Sequence, residues 1–117
     1  MKDKITNITS VLSSYRFPLE KEKETQEAIE KRLVENRIDH KREYHLDPDN
    51  IPDFFIDGIA IEVKIKGNAR NIYRQCERYC QFDEVKALIL VTNRSMGFPP
   101  VINGKPCYVI NLGRAWL

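Results

Sequence analysis

The stretch Ile51-Pro52-Asp53-Phe54-Phe55-Ile56-Asp57-Gly58-Ile59-Ala60-Ile61-Glu62-Val63-Lys64-Ile65-Lys66 reads as two apolar runs joined by Asp-Gly. That pair is a strong hairpin signal, because a type I′ turn needs positive φ at both central residues. Centring the turn on Asp57-Gly58 pairs Ile56 with Ile59, Phe55 with Ala60, Phe54 with Ile61 and Asp53 with Glu62. Side chains alternate along a strand, so one face carries Phe54, Ile56, Ile59, Ile61, Val63 and Ile65. The other carries Asp53, Phe55, Ala60, Glu62, Lys64 and Lys66. Opposed cross-strand residues stand about 4.5–5.5 Å apart at Cβ, where like charges repel. Two carboxylates in that position call for a cation between them.

The rest of the chain supports a single domain. Its 117 residues suffice for one modest core, and 42% apolar with 31% charged residues is ordinary globular composition. A net charge of +2 confines any nucleic-acid surface to a local patch. The N-terminus lacks the apolar core of a signal peptide and no run reaches transmembrane length, so the expected location is cytoplasmic, with no membrane partner. Three cysteines without a secretion signal suggest reduced thiols. Cys76 and Cys80 share a helix face, and His40 and His45 lie in an expected strand that would point them to opposite faces. This is a poor zinc set, and small buried helix residues are the better reading of the cysteines.

Periodicity predicts a helix over 3–15, broken at Phe17-Pro18. A second runs from Leu19 to about Asn36, with Ala28, Ile29, Leu33 and Val34 as its apolar stripe. Residues 40–46 read as a strand ended by the turn chemistry of Asp47-Pro48-Asp49-Asn50. The hairpin strands follow at 52–57 and 58–66. A helix opens at Gly67-Asn68 and continues to about Gln81, then the run 86–92 reads as a strand buried on both faces. Gly97, Pro99, Pro100, Gly104 and Pro106 mark 93–106 as a loop. One more strand spans 106–112, and residues 113–117 form a tail with the only Trp. This order indicates an α/β sandwich around a mixed sheet.

Asp and Glu are hard oxygen ligands suited to Mg²⁺, Mn²⁺ or Ca²⁺, and magnesium favours sites with one or two carboxylates plus phosphates and waters. Lys64, on the face of Glu62, reaches a water or phosphate oxygen held there. Together these groups are equipment for metal-assisted phosphodiester hydrolysis. In the preceding helix Glu20, Glu22, Glu24, Glu27 and Glu30 are all available. Glu22, Gln26, Ile29 and Leu33 share the inward face, which favours Glu22, with Glu24 and Glu27 in reserve. Arg70, Arg74 and Arg78 recur every four residues after Lys66. From Ala60 to Cys80 five basic and two acidic residues leave a local excess of +3, suited to a phosphate backbone. Phe98-Pro99-Pro100 and Arg94 are better read as a linker than as a substrate loop.

Pro52-Asp53, eight residues, then Glu62-Val63-Lys64 resembles the signature of the PD-(D/E)xK nuclease superfamily, and the surrounding element order is similar to its core. Among its members the chain looks closest to small phage-type VRR-NUC and Holliday-junction-resolvase-like enzymes. The resemblance implies a restriction-endonuclease-like α/β sandwich, with a nuclease core over 19–112 and an N-terminal helical extension over 1–18. It further implies Mg²⁺ or Mn²⁺ held by Asp53, Glu62 and the Val63 carbonyl, and Lys64 positioning the water nucleophile. A helix glutamate would join them. Gln75-Cys76-Glu77-Arg78-Tyr79 resembles the Gln-x-x-x-Tyr element of lambda-exonuclease and RecB-type nucleases. It would aim the Gln75 amide at the site and leave the Tyr79 phenol to pack or to touch phosphate. The implied substrate is DNA, branched or single-stranded among the options, and a homodimer is plausible by analogy. The alternatives are a non-catalytic nucleic-acid-binding module on the same fold and, ranked last, carboxylate-pair acid–base hydrolysis of the glycosidase kind.

Overall fold

The computed structural model describes residues 1–113. Two helices come first, α1 (Lys2–Ser13) and α2 (Glu22–Glu35), followed by β1 (Lys41–Arg42), β2 (Phe54–Ile56) and β3 (Ile59–Lys64). After α3 (Ala69–Tyr79) come β4 (Ala87–Thr92), β5 (Val101–Ile102) and β6 (Lys105–Asn111). The six strands make one mixed sheet in the order β1-β2-β3-β4-β6-β5. β1, β2 and β3 are antiparallel neighbours, β3, β4 and β6 run parallel, and β5 returns antiparallel on β6. The expected α/β sandwich with helices on a mixed sheet is what forms.

The hairpin keeps three of the four pairs read from the sequence, Phe54 with Ile61, Phe55 with Ala60 and Ile56 with Ile59, whereas Asp53 and Glu62 lie beyond the last ladder pair. Asp57 at φ +46° and Gly58 at φ +84° supply the two positive φ values that the turn requires. Ile56, Ile59, Ile61, Val63 and Ile65 join Ile5, Ile8 and Leu12 of α1 and Ile29 and Leu33 of α2 in one apolar layer. Ala60 faces the opposite layer, built with Ile72, Cys76 and Tyr79 of α3. α1, expected as an extension, therefore closes the same core as α2. β4 is buried along its whole length, as its unbroken apolar run requires. The three cysteines are free and buried. No described helix is long and apolar enough to cross a membrane.

Three expectations need correction. The strand over 40–46 shrinks to Lys41–Arg42, because Glu43 turns to φ +51° and interrupts the ladder. Its amide still donates to the Asp53 carbonyl (2.8 Å), and Tyr44 donates to Pro52 (3.1 Å), so the segment stays beside β2 without being regular. The loop over 93–106 contains a second hairpin. Asn103 (φ +50°) and Gly104 (φ +76°) turn β5 onto β6, the same chemistry as Asp57-Gly58 but hidden among prolines. Val34, placed on the apolar stripe of α2, is 61% exposed and belongs to the outer face. The tail over 113–117, apart from Gly113, lies outside the described residues.

Candidate functional site

β3 outruns β2. Pairing between the two strands stops at Phe54 and Ile61, and β3 continues through Glu62, Val63 and Lys64. Two carboxylates occupy the vacated edge. Oδ2 of Asp53 accepts the Val63 N–H at 2.7 Å, and Oε1 of Glu22 accepts the Ile65 N–H at 3.0 Å. A strand residue presents its N–H and C=O to the same side, so the Val63 carbonyl faces the edge that Asp53 lines. Sequence periodicity singled out Glu22, and α2 does deliver it here. Glu24 and Glu27 are exposed to solvent.

Glu62 stands one step beyond the last paired residues, on the α3 side of the sheet, and is only 2% exposed. Its Oε1 accepts from the Tyr79 hydroxyl at 2.9 Å, and that hydroxyl accepts from Nε2 of Gln75 at 2.8 Å. Its Oε2 lies 3.2 Å from the Lys64 ammonium. Tyr79 is fully buried, which corrects its assignment as a phosphate contact: its hydroxyl is committed to Glu62. Gln75 is likewise turned to Tyr79 and acts on the acidic pair through it.

The carboxyls are hard to ionise where they stand. Burial, opposed by the Val63 hydrogen bond and the Lys64 charge, pushes Asp53 up to about 6. Burial and then the nearby Asp53 charge push Glu62 up to about 7, against the pull of Lys64 and Tyr79. For Lys64, burial acts downward, but the charges of Glu62, Glu22 and Asp53 prevail and its net shift is upward. The charge of Glu22 also acts on Asp53.

The donor set fits a hard divalent cation in part. Two carboxylates strain against each other and a carbonyl faces the same edge, so a cation there would relieve a repulsion already present. Oδ1 of Asp53 has no hydrogen-bond partner among the described residues. No group of three or more His, Cys, Asp or Glu among them is arranged to hold a metal, so the remaining ligands would come from water or substrate.

Lys66, Arg70, Arg74 and Arg78 are all exposed, running along and just before α3. Arg78 donates through Nε to Oδ1 of Asn50 at 3.3 Å, on the loop that leads to Asp53. Arg94 bonds the Gly67 carbonyl, and Phe98 packs edge-on against Tyr73 with ring centroids 6.2 Å apart, so both serve to pack the loop. His45 is exposed, whereas His40 bonds Glu30 at 2.9 Å. Sequence reading missed Arg42, which donates to Glu30 (2.8 Å) and Gln26 (3.1 Å) and whose charge also acts on Asp53. The available signal was the spacing of Glu22, Gln26 and Glu30, one polar line along α2.

Comparison of the chain with models of known protein families, with curated proteins and with solved structures returns no match.

Proposed function

We propose that the protein is a divalent-metal-dependent nuclease that hydrolyses DNA phosphodiester bonds at the Asp53–Glu62–Lys64 edge. The observation that carries the reading is the juxtaposition of the half-buried Asp53 and the buried Glu62 with a lysine 3.2 Å from the latter, on an open strand end. A bound Mg²⁺ or Mn²⁺ supplies Lewis acidity at the phosphate and acidifies a water. Asp53, Glu62 and the Val63 carbonyl would hold it. Lys64 orients the water and offsets charge that develops on the phosphate oxygens. Tyr79, backed by Gln75, fixes the Glu62 carboxylate, and Glu22 holds the end of β3 while adding negative charge to the cation's surroundings. Lys66, Arg70, Arg74 and Arg78 lie along the path of the phosphate backbone. The resemblance to PD-(D/E)xK nucleases noted in the sequence points the same way.

The test is cleavage of labelled linear, single-stranded and four-way-junction DNA by wild type and Lys64→Ala, with Mg²⁺, Mn²⁺ or EDTA. Metal-dependent cutting that disappears in Lys64→Ala is the expected outcome. Undiminished turnover by the variant overturns the assignment. Binding without cutting under every condition favours the non-catalytic nucleic-acid-binding module.

A further inference from the structure

We propose that Arg42 is a positioning residue for Asp53: by tying β1 to a polar line on α2, it fixes the gap between Asp53 and the end of β3. What that gap does for a cation rests on the function proposed above. The positioning itself does not.

Asp53 lies beyond the last pair of β2 with β3, Phe54 with Ile61, so the β3 ladder does not hold its backbone. Support comes from the other side. The Asp53 carbonyl accepts the Glu43 amide at 2.8 Å, and the Pro52 carbonyl accepts that of Tyr44 at 3.1 Å. Across the gap, the Asp53 carboxylate accepts the Val63 amide at 2.7 Å. Residues 42–44 are therefore the rail on which Asp53 sits. That rail is short: β1 pairs Lys41 with Phe55 and Arg42 with Phe54, and Glu43 leaves the ladder at φ +51°. Two pairs at the edge of a sheet do not fix a strand by themselves.

Arg42 supplies the rest. One terminal nitrogen of its guanidinium donates to Oε1 of Glu30 at 2.8 Å, and the other donates to Oε1 of Gln26 at 3.1 Å. The same group lies over the ring of Phe54, the residue after Asp53, 5.1 Å from its centroid. Gln26 and Glu30 stand about one and two turns along α2 from Glu22. Glu22 in turn accepts the Ile65 amide at 3.0 Å. One line on one helix thus holds both walls of the gap, β3 through Glu22 and the Asp53 segment through Arg42. The planar fork is what joins Gln26 to Glu30. A lysine carries the same charge on a single nitrogen and does not span both acceptors in that geometry. The Arg42 charge also acts on Asp53 directly, so charge and geometry are separated by the choice of variants.

The test is amide hydrogen exchange on the whole chain, read at two amides that carboxylates hold at the end of β3. Val63 is bonded to Asp53 and Ile65 to Glu22. Arg42→Lys is expected to lower the protection factor of Val63 about tenfold, the scale of one hydrogen bond to a charged group, and to leave Ile65 within about twofold. Gln26→Ala removes one acceptor of the fork and is the milder change, with an expected fall of about threefold at Val63. Gly104→Ala, in the β5–β6 turn, is the control for general destabilisation and is expected to treat the two amides alike. Equal falls at Val63 and Ile65 in Arg42→Lys, or no fall at Val63, overturn the proposal. Titration with Mn²⁺ at pH 8 is the second readout: Arg42→Lys is expected to bind about tenfold more weakly than wild type, and Arg42→Gln no more tightly. A role through charge alone would leave the lysine variant at wild-type affinity and tighten binding by the glutamine variant, and that pattern also overturns the proposal. Exchange uses neither metal nor DNA. Absence of Mn²⁺ binding by wild type would therefore sink the nuclease reading, while Val63 and Ile65 still decide whether Arg42 positions Asp53.

Discussion

The Tyr79 hydroxyl donates to Oε1 of Glu62 at 2.9 Å inside the layer between α3 and the sheet. It is the buried support of a carboxylate whose other oxygen faces Lys64. Tyr79→Phe keeps the ring and deletes the donor. A buried group left short of one hydrogen bond costs about 1–3 kcal/mol. The variant is expected to unfold at lower urea by that amount and to cleave DNA roughly tenfold more slowly. Gln75→Leu acts one bond further away and is expected to do less in both measurements.

Asp53 and Glu62 make stability depend on pH in an unusual direction. Unfolded carboxyls ionise near pH ~4, whereas these titrate at about 6 and about 7 in the fold. The folded chain therefore holds their protons more tightly than the unfolded one. Their contribution to stability is complete below the unfolded values and is lost as the pH rises through 6 to 7. Asp53→Asn, which retains an acceptor for Val63, is expected to melt close to wild type at pH 5 and above it at pH 8. Parallel melting curves at both pH values would show that the pair carries no such repulsion.

On the proposed function, the exposed arginines of α3 serve polyanion binding rather than the fold. Arg70 and Arg74 have no hydrogen-bond or ion-pair partner among the described residues. The double change to Glu is expected to weaken DNA binding across sequences. It should also flatten the plot of log affinity against log salt by about 0.9 for each phosphate that is no longer neutralised. Stability should move by no more than about 0.5 kcal/mol, as at ordinary surface sites.

The two hairpin glycines are separable. A Cβ on Gly58 would stand 3.0 Å from Cγ of Lys86 in a residue already at φ +84°, whereas one on Gly104 at φ +76° meets nothing within 4 Å. Gly104→Ala is expected to cost about 1 kcal/mol, the conformational penalty alone. Gly58→Ala is expected to cost about 2 kcal/mol because the Lys86 stem must also shift. Chemical denaturation of the two variants makes the comparison.

The hairpin and its faces were legible because Asp57-Gly58 fixes both the turn and the register, and period-2 alternation then sorts every side chain. Glu22 was legible for a similar reason, since the phase of Ile29 and Leu33 on α2 selects it over Glu24 and Glu27. The end of β1 was not. Only the tertiary structure reveals that Glu43 adopts a left-handed backbone beside Asp53. Asn103-Gly104 carried a hairpin signal as strong as the first, but the prolines around it outweighed it in the sequence reading. Tyr79 was assigned to the correct element with its environment left open between packing and phosphate: its spacing from Gln75 specifies a shared helix face and not whether that face is wet. Arg42 was missed because its partners on α2 are about a dozen or more residues away in the chain, and the polar line of Glu22, Gln26 and Glu30 alone does not say what it meets.

Calorimetric titration of Mn²⁺ into the protein at pH 8 tests most directly that the acidic edge holds a cation. Wild type is expected to show a single saturable site, weakened at least about tenfold in Glu62→Gln, with a matching loss in Asp53→Asn. Equal binding by wild type and both variants, or no binding by wild type, would contradict the account.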